Sequence, residues 1–370
     1  MKVDKLLEGL QNFTWQQGVM IIVGLVLIYL AIKKEYEPML LLPIGFGAIL
    51  TNIPLSSAVG ENGFLTILYN AGIRTELFPI LIFIAVGAMI DFSPLLKQPV
   101  MLFFGAAAQL GIFMAMLLAA STGVFSLKEA ASIGIIGAAD GPTSIYVANL
   151  FAPDLLGPIS VAAYSYMALV PIIQPPVIRA LTTKKERMIR MDADYDAKVS
   201  KKVLILFPIV VTVVAGIIAP ISVGLVGALM FGNLIRESGV MDRLSKSAQN
   251  ELANLTTLLL GITIGSTMVA EKFLAPTTLL ILGIGLLAFV FDTAGGVLFA
   301  KLINLFLKKK INPMIGAAGI SAFPMSARVV QKLALEEDPS NFILMQAIGA
   351  NVAGQIGSII AGGILLALVG

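Results

Sequence analysis

Long apolar runs separated by short polar segments follow one another along the whole chain. They are too long and too continuous for the strands of a membrane barrel, and most approach the length that an α-helix needs to cross a bilayer. The sequence therefore predicts an all-α polytopic membrane protein. The predicted spans lie at about 17–33, 39–54, 74–91, 100–121, 155–180, 202–218, 221–236, 251–270, 276–305 and 341–369.

Two further apolar segments are interrupted by glycine, proline and polar residues. We call them the first broken element, at about 129–151, and the second broken element, at about 312–331. Such interruptions favour helices that break inside the membrane, or hairpins that enter and leave on one side.

Clusters of lysine and arginine indicate which ends face the cytoplasm, because such residues accumulate there. Eight basic residues lie from Arg179 to Lys202, and Lys33 and Lys34 form a smaller cluster. Five apolar elements separate these clusters, so both face the cytoplasm only if one element, the first broken one, fails to cross. The alternative is that the broken elements cross fully and the span count is wrong by one elsewhere.

The two halves of the chain share a spaced motif. The pattern Gly137-x4-Pro142-x-Ser144 recurs in the second half as Gly319-x4-Pro324-x-Ser326, and Asn52 and Asn233 are separated by nearly the same offset. Five crossings in each copy would give the second copy the opposite orientation, with binding expected at the repeat interface. We predict a first inverted repeat at 1–180, a cytoplasmic linker loop at 181–201 and a second inverted repeat at 202–370. The linker is either a solvated connection or a docking surface for a cytoplasmic partner.

Composition narrows the chemistry. Charged residues make up 13% of the chain, about half of what a soluble domain carries. The absence of histidine and cysteine from the sequence excludes disulfides, thiolate metal sites and histidine-based catalysis. No nucleic-acid partner is expected, and no cleavable leader is expected because residues 1–12 are polar and charged.

Asp140 is the residue most directly suggestive of function. It is an acid within an apolar run, and Gly141 and Pro142 follow it at once, so the helix should break beside the charge. Thr143 and Ser144 add hydroxyl oxygens, and an all-oxygen set suits a hard cation such as Na⁺. The alternative is that Asp140 only caps the half-helix that begins at Pro142.

Other polar residues occur in or near the second broken element and in the helices after each break. Arg328 either reaches the cytoplasmic headgroups or clamps a carboxylate. The further candidates are Asn312 and Ser321 with neutral oxygens, Tyr166 and Gln174 after the first break, Asn351 and Gln355 after the second, and Asp292 with its approximate repeat mate Gln109. These residues by themselves suit a stand-alone Na⁺/H⁺ antiporter or a Na⁺-coupled anion transporter equally well.

Four long motifs resemble the beta subunit of the biotin-dependent, sodium-pumping decarboxylases of oxaloacetate, methylmalonyl-CoA and glutaconyl-CoA. They are the runs at 137–143, 161–176, 319–328 and 351–358. The resemblance covers essentially the whole chain. It implies a subunit that decarboxylates carboxybiotin, consumes a proton and exports Na⁺, with biotin carried by a partner.

The resemblance also implies roles for single residues. Asp140 would bind Na⁺ and exchange a proton, and Asn312, Ser321 and Asn351 would line the Na⁺ path. Tyr166 and Arg328 would handle the proton and, with Ser321, contact carboxybiotin. Gly316 is a second-rank position of the family pattern, and the residues themselves add Thr143, Ser144, Gln174, Gln355 and Asp292 as further second-rank candidates.

The resemblance further implies an assembly. The expected partners are a carboxyltransferase alpha subunit, a biotin carrier protein and a small membrane gamma subunit. The beta subunit itself is expected to form a homotrimer with an elevator-type transporter fold in the inner cell membrane. Dependence on biotin would distinguish this function from a stand-alone transporter.

Overall fold

The structure is a computed structural model, and it describes residues 8–191 and 198–370. Within these ranges the chain is helical and contains no strand, so the predicted all-α class is confirmed. The first half forms α1 (Trp15–Lys34), α2 (Pro38–Thr51), α3 (Phe64–Ile73), α4 (Leu77–Met89), α5 (Ser93–Lys97), α6 (Met101–Ser121), α7 (Leu127–Gly134), α8 (Gly141–Phe151), α9 (Pro153–Ala168) and α10 (Val170–Leu181).

The second half begins after the predicted linker, of which 192–197 lie outside the described residues. The remaining helices are α11 (Lys184–Arg187) within the linker, α12 (Lys201–Ile218), α13 (Val223–Ser238), α14 (Asp242–Ser247), α15 (Ala253–Ser266), α16 (Ala270–Phe273), α17 (Pro276–Phe306), α18 (Met314–Ala317), α19 (Met325–Glu337) and α20 (Leu344–Val369).

Five helices in the described ranges are long and apolar enough to cross a membrane: α1, α6, α12, α17 and α20. Two bent pairs raise this number to seven if each pair is one span, α3 with α4 at 62° and α9 with α10 at 68°. The remaining predicted spans, such as α2, are shorter than the roughly 20 residues of a full crossing. The count of ten crossings therefore stays a prediction.

Two predicted segments differ in detail from the structure, and one helix was not predicted. The span predicted at 155–180 bends at Leu169, because Pro171 fits the first turn of a new helix but not a helix interior. The span predicted at 100–121 contains an irregular turn at Ala108 and Gln109. Helix α3, ahead of the span predicted at 74–91, was not predicted.

The helices pack in two groups that do not coincide with the two halves of the sequence. The first packing group combines 15–89 with 201–273, and the second combines 93–181 with 276–369. Contacts within each group are denser than contacts between the groups. Helices α17 and α20 are the most buried of the five long helices, whereas α1 and α12 leave most of their apolar surface exposed for lipid. Both broken elements lie in the second packing group.

Two buried asparagines join the halves within the first packing group. Asn52, at the end of α2, donates to the carbonyl of Met268 at 2.8 Å and accepts from the backbone N–H of Ala270 at 3.0 Å. Asn233, in α13, donates to the carbonyl of Ile90 at 3.0 Å. Each side chain therefore satisfies backbone groups that follow a helix of the opposite half, where no water is available to do so.

Candidate functional site

The first broken element ends its first helix in the buried interior of the protein. After α7, a 3₁₀ turn spans Ile135–Ala138, and Ala139 adopts the left-handed conformation with φ 55°. Asp140 follows, and α8 begins at Gly141. A β-carbon on Gly141 would overlap the ring of Tyr164, so only glycine lets the chain turn here against that ring.

Asp140 is a buried residue, only 5% exposed, and it caps α8. Its Oδ1 accepts from the backbone N–H of Thr143 at 3.3 Å, and its Oδ2 accepts from the Thr143 hydroxyl at 2.6 Å. The capping role proposed as an alternative is thus real. It is not the whole arrangement, because Oδ2 also accepts from the hydroxyl of Ser358, far along the chain on α20, at 3.0 Å.

The two breaks meet directly. The backbone N–H of Ser321, in the second broken element, donates to the carbonyl of Ala138 in the first at 3.1 Å. The Ser321 hydroxyl lies 2.7 Å from both the Ser358 hydroxyl and the carbonyl of Gly354, and its single hydrogen can go to either. When it goes to Ser358, which donates to Asp140, a hydrogen-bond chain runs from Ser321 through Ser358 to the Asp140 carboxylate.

Helix α20 supplies a polar face to this site. Asn351, Gln355 and Ser358 recur at the spacing of one helical face. The Asn351 amide donates to the carbonyl of Ile320 at 2.6 Å, and the Gln355 amide donates to that of Ser321. The Asn351 side-chain oxygen is buried without a hydrogen-bond partner among the described residues, so it is a neutral oxygen still available for a ligand.

Three further second-rank residues shape the two breaks, whereas Asp292 lies on α17 against Gly137. The Ser144 hydroxyl donates to the carbonyl of Asp140 at 2.9 Å, and the Gln174 amide donates to that of Ala317 at 2.8 Å. Gly316 packs backbone to backbone against Gly296 of α17, where a β-carbon on either residue would strike the other's carbonyl. These contacts position the chain around the breaks rather than adding charge.

Three predicted residues are not brought to Asp140. Tyr166 is half-buried, and its hydroxyl donates to the carbonyl of Leu282 on α17 at 2.5 Å. Arg328 is exposed on α19 and lines an open cavity of about 410 Å³ together with Gln331 and Lys332. Asn312 is fully buried, but its amide donates to the carbonyls of Arg187 and Ile189, both at 2.9 Å.

The contacts of Asn312 are part of a larger attachment of the linker. Asn341 donates to the same two linker carbonyls, at 3.1 and 3.3 Å. Three successive acids at the end of α19 pair with arginines at or within the linker, each at 2.7 Å: Glu336 with Arg179, Glu337 with Arg187, and Asp338 with Arg190. The hydrogen bonds from Arg190 and from the Ser340 backbone hold the pKa of Asp338 below its usual value. The start of the linker is therefore fixed to the second broken element.

Sequence reasoning undervalued two residues of this site. In the sequence, Ser358 is interpreted as a small residue at a contact between helices. Its spacing from Asn351 nevertheless places it on the same face of α20. Tyr164 stands out in the sequence only as a polar neighbour of Tyr166, yet its ring packs on Gly141 and its buried hydroxyl lacks a partner among the described residues. No cluster of three or more Asp, Glu, His or Cys that could hold a metal ion occurs in the described ranges.

Known proteins align with nearly the whole of this chain. A family model described as the Na⁺-transporting oxaloacetate decarboxylase beta subunit matches residues 16–369. The chain is 52% identical to the glutaconyl-CoA decarboxylase beta subunit of Acidaminococcus fermentans over 363 residues, 98% of this chain and 96% of that protein. It is 50% identical to the methylmalonyl-CoA decarboxylase beta subunit of Propionigenium modestum over 376 aligned positions, 95% of this chain and 94% of that protein. It is 46% identical to the probable oxaloacetate decarboxylase beta chain of Vibrio cholerae over 422 aligned positions, 98% of this chain and 97% of that protein.

Proposed function

The chain belongs to the beta-subunit family of the Na⁺-transporting oxaloacetate decarboxylases, and on that basis we propose how its buried Asp140 couples chemistry to transport. It is the membrane subunit of a Na⁺-translocating, biotin-dependent decarboxylase, in which decarboxylation of carboxybiotin is coupled to Na⁺ transport. The named relatives differ in the acid that is decarboxylated and share the subunit.

One observation carries the proposal: the Asp140 carboxylate lies at a helix break and accepts a hydrogen bond from Ser358 of the other half. A charge buried in a membrane protein is costly unless it is paired or binds an ion. Three hydrogen bonds stabilise the Asp140 carboxylate only in part, because hydroxyl and amide dipoles carry no net charge. Na⁺ at Asp140 would supply the missing positive charge.

The reaction supplies a reason to exchange that ion for a proton. When carboxybiotin loses CO₂, the bond between nitrogen and carbon breaks with its electrons remaining on nitrogen, and that nitrogen must then take a proton. Proton transfer needs a nearby donor or a path to one. Protonation of Asp140 neutralises the carboxylate and releases its Na⁺, so proton entry and ion release become one event. Na⁺ would then leave on the side away from the cytoplasm.

Neutral oxygens complete the proposed Na⁺ path. The Asn351 side-chain oxygen has no partner among the described residues, and the Ser321 hydroxyl is connected to Asp140 through Ser358. The Asn312 amide nitrogen donates to linker carbonyls and its side-chain oxygen accepts from the backbone N–H of Met314 at 3.1 Å, so that oxygen would join the path through its remaining lone pair. Thr143 contributes a hydroxyl that already contacts the carboxylate.

Arg328 and Tyr166 are proposed to serve the chemical step. Arg328 is exposed beside an open cavity near Lys332, and a guanidinium beside an ammonium suits an anionic carboxyl group arriving from solution. The Tyr166 hydroxyl bonds a carbonyl of α17, and Tyr166 could relay a proton only after giving up that contact. Ser321 would link carboxybiotin binding to the ion site.

We also propose inverted repeats at 1–180 and 202–370, joined by the 181–201 linker, with an elevator-type movement between the packing groups. The supporting observations are the reciprocal contacts of Asn52 and Asn233 and the sparse packing between the two groups. The proposed assembly is a beta-subunit homotrimer with an alpha carboxyltransferase, a biotin carrier and a gamma subunit in the inner cell membrane.

The function is tested with the complex purified from its own membranes and placed in vesicles. Decarboxylation and Na⁺ uptake are both expected, and avidin, which sequesters biotin, should stop both. Na⁺/H⁺ exchange that continues unchanged in the presence of avidin would contradict the coupling and favour a stand-alone transporter. Vesicles without the biotin-bearing partner serve as the control and should show neither activity.

Replacing Ser358 by alanine should weaken Na⁺ binding without abolishing turnover. The variant removes one hydroxyl donor from the Asp140 carboxylate and interrupts the connection to Ser321. Loss of one hydrogen bond to a charged group should raise the half-saturating Na⁺ concentration about ten-fold or more. The measurement is decarboxylation against Na⁺ concentration. Ser132→Ala is the matched control, because the buried Ser132 hydroxyl bonds only a carbonyl of its own helix, and equal effects of both variants would refute the prediction.

A further inference from the structure

The linker closes the open end of the second broken element through two backbone carbonyl groups, those of Arg187 and Ile189. Each carbonyl oxygen accepts a hydrogen bond from the side-chain amide of Asn312, at 2.9 Å, and from that of Asn341, at 3.1 and 3.3 Å. Asn312 precedes α18 and Asn341 follows α19, so the two amides come from opposite ends of the broken element. We call these two carbonyls and two amides the linker ring.

The two asparagines of the linker ring differ in how their side-chain oxygens are used. The Asn312 oxygen accepts from the backbone N–H of Met314 at 3.1 Å, which fixes the orientation of its carboxamide. Asn341 is fully buried, yet its side-chain oxygen has no hydrogen-bond partner among the described residues. A buried oxygen left without a partner is costly, so it points to a ligand that this side chain meets at another stage.

The backbone around Asn341 is held in place, so its side chain is the part that can turn. The Gln331 side chain donates to the carbonyl of Asn341 at 3.2 Å and accepts from the N–H of Ile343 at 2.8 Å. The torsion of a carboxamide group is broad and roughly two-fold. Half a turn exchanges the nitrogen and oxygen of Asn341, and it breaks only the two longest hydrogen bonds of the linker ring.

After that rotation three neutral oxygens face one another: the side-chain oxygen of Asn341 and the carbonyl oxygens of Arg187 and Ile189. Carbonyl oxygens of this kind are ligands of hard cations such as Na⁺. A set without a carboxylate binds weakly, which suits a place through which an ion passes, because binding there must also allow the ion to leave.

The charged side chains around the linker ring balance one another. The three ion pairs between the end of α19 and the linker contain three acids and three arginines, so they add no net charge beside the ring. Lys184 and Lys185, in α11, are exposed, where salt screens their charge. The attraction for a cation would therefore come from the carbonyl dipoles of the ring itself.

The linker ring leads inwards to the Asp140 site along both ends of the second broken element. One end continues from Asn312 to Ser321, whose backbone N–H bonds the first broken element. The other continues into α20, where Asn351 lies seven residues after Leu344, about 10 Å along the helix. The Asn351 oxygen also lacks a partner among the described residues, so a second neutral oxygen lies between the ring and Asp140.

We propose that the linker ring is the entry site for Na⁺ from the cytoplasm, where the Asn341 oxygen and the carbonyl oxygens of Arg187 and Ile189 bind the ion in transit. In this structure the Asn341 amide takes the position of the ion and closes the entry. The inference rests on the proposed function, in which Na⁺ is taken from the cytoplasm and binds Asp140.

The experiment compares Asn341→Leu and Asn341→Asp with the wild type, each as the whole complex in vesicles, by measuring the half-saturating Na⁺ concentration for decarboxylation. Leucine removes both the amide and the oxygen, so that concentration should rise about ten-fold. Aspartate keeps an oxygen and loses only the N–H groups that close the ring. Its half-saturating Na⁺ concentration should therefore be no higher than that of the wild type.

Asn304→Leu is the matched control. The amide and the oxygen of Asn304 both bond the backbone of Ile311, at 2.7 and 2.8 Å, so this residue holds the chain just before Asn312 without offering a free oxygen. The control should lower the thermal midpoint of the complex and leave its half-saturating Na⁺ concentration unchanged. If Asn341→Leu does not assemble, Asn341→Ser replaces it, because the serine side chain is too short to reach the ring.

Two results would overturn the entry site. One is a wild-type Na⁺ dependence in Asn341→Leu. The other is an equal rise in Asn341→Leu and Asn341→Asp, which a purely structural clasp predicts because both variants lack the amide donors. Asp140→Asn in the same assay separates this inference from the proposed function. Na⁺-coupled turnover that survives in Asp140→Asn refutes the proposed function and the entry site with it, whereas its loss beside an unaffected Asn341→Leu refutes the entry site alone.

Discussion

Asp140→Asn is expected to abolish both Na⁺-dependent decarboxylation and Na⁺ transport. The asparagine oxygen can still accept from Thr143 and Ser358, so the hydrogen bonds of the site survive in part. The negative charge that Na⁺ requires does not. Removing one partner of a buried charged interaction costs about 3 kcal/mol or more, so Na⁺-coupled turnover should fall at least about 100-fold.

The measurement is parallel assay of CO₂ release and Na⁺ uptake in vesicles that contain the whole complex. Both activities should fall together, because the proposed mechanism has no path that uses one without the other. Turnover of Asp140→Asn near the wild-type rate, with its normal Na⁺ dependence, would end the assignment of Asp140 as the coupling acid.

Two further variants separate charge from geometry and from general effects. Asp140→Glu keeps the charge but adds a methylene where Thr143 and Ser358 already lie within 2.6 and 3.0 Å, so it should retain partial activity with weaker Na⁺ binding. Asp154→Asn is the matched control. The Asp154 carboxylate is 80% exposed and pairs with Lys272 at the surface, where an ion pair contributes little. Its activity should stay near that of the wild type.

Gly316→Ala is expected to be strongly damaging although it adds only one methyl group. Gly316 and Gly296 bring α18 and α17 into backbone contact, and a methyl group on either would occupy the position of the other's carbonyl oxygen. Neither partner is a flexible side chain, so the helices must separate. Overpacking of this kind costs about 1–3 kcal/mol or more, and it would move the second broken element away from the Asp140 site.

The measurement combines the thermal midpoint of the detergent-solubilised complex with Na⁺-dependent decarboxylation. Both should fall in Gly316→Ala. Gly283→Ala is the matched control on α17, because no atom lies within 4 Å of its added methyl group. That variant should be neutral or more stable by up to about 1 kcal/mol, as expected for alanine replacing glycine in a helix. Equal behaviour of the two variants would contradict the packing argument.

Much of this architecture could be predicted because the signals for it are local. The acid, glycine and proline at 140–142 predicted the break that the structure contains between Ala139 and Gly141. The predicted span at 276–305 differs only at its last residue from Pro276–Phe306. By contrast, the bend at Leu169 and the separate helix Phe64–Ile73 were missed, because apolar composition alone does not report a change in helix direction.

Residue roles were harder to predict than elements. Asn312 was expected on the Na⁺ path, and Tyr166 and Arg328 at the proton and carboxybiotin steps; in the structure each makes its contacts away from Asp140. The face of a helix that turns towards a site depends on how that helix packs, and the sequence of the helix alone leaves several faces open. The roles of these three residues therefore remain predictions, and each requires a conformational change that brings the residue to its proposed step.

The sequence by itself determined that this chain is a helical membrane protein, that its helix breaks at 140–142, and which acid lies at that break. Those properties follow from burial cost and backbone chemistry over a few neighbouring residues. Only the tertiary structure decided that Ser358 of the second half meets Asp140 of the first, that Ser321 joins the two breaks, and that Asp292 lies against Gly137. Such contacts depend on how helices that are distant in the sequence pack together. The position where two helices cross is set by the side chains of both helices, so neither helix's sequence alone determines it.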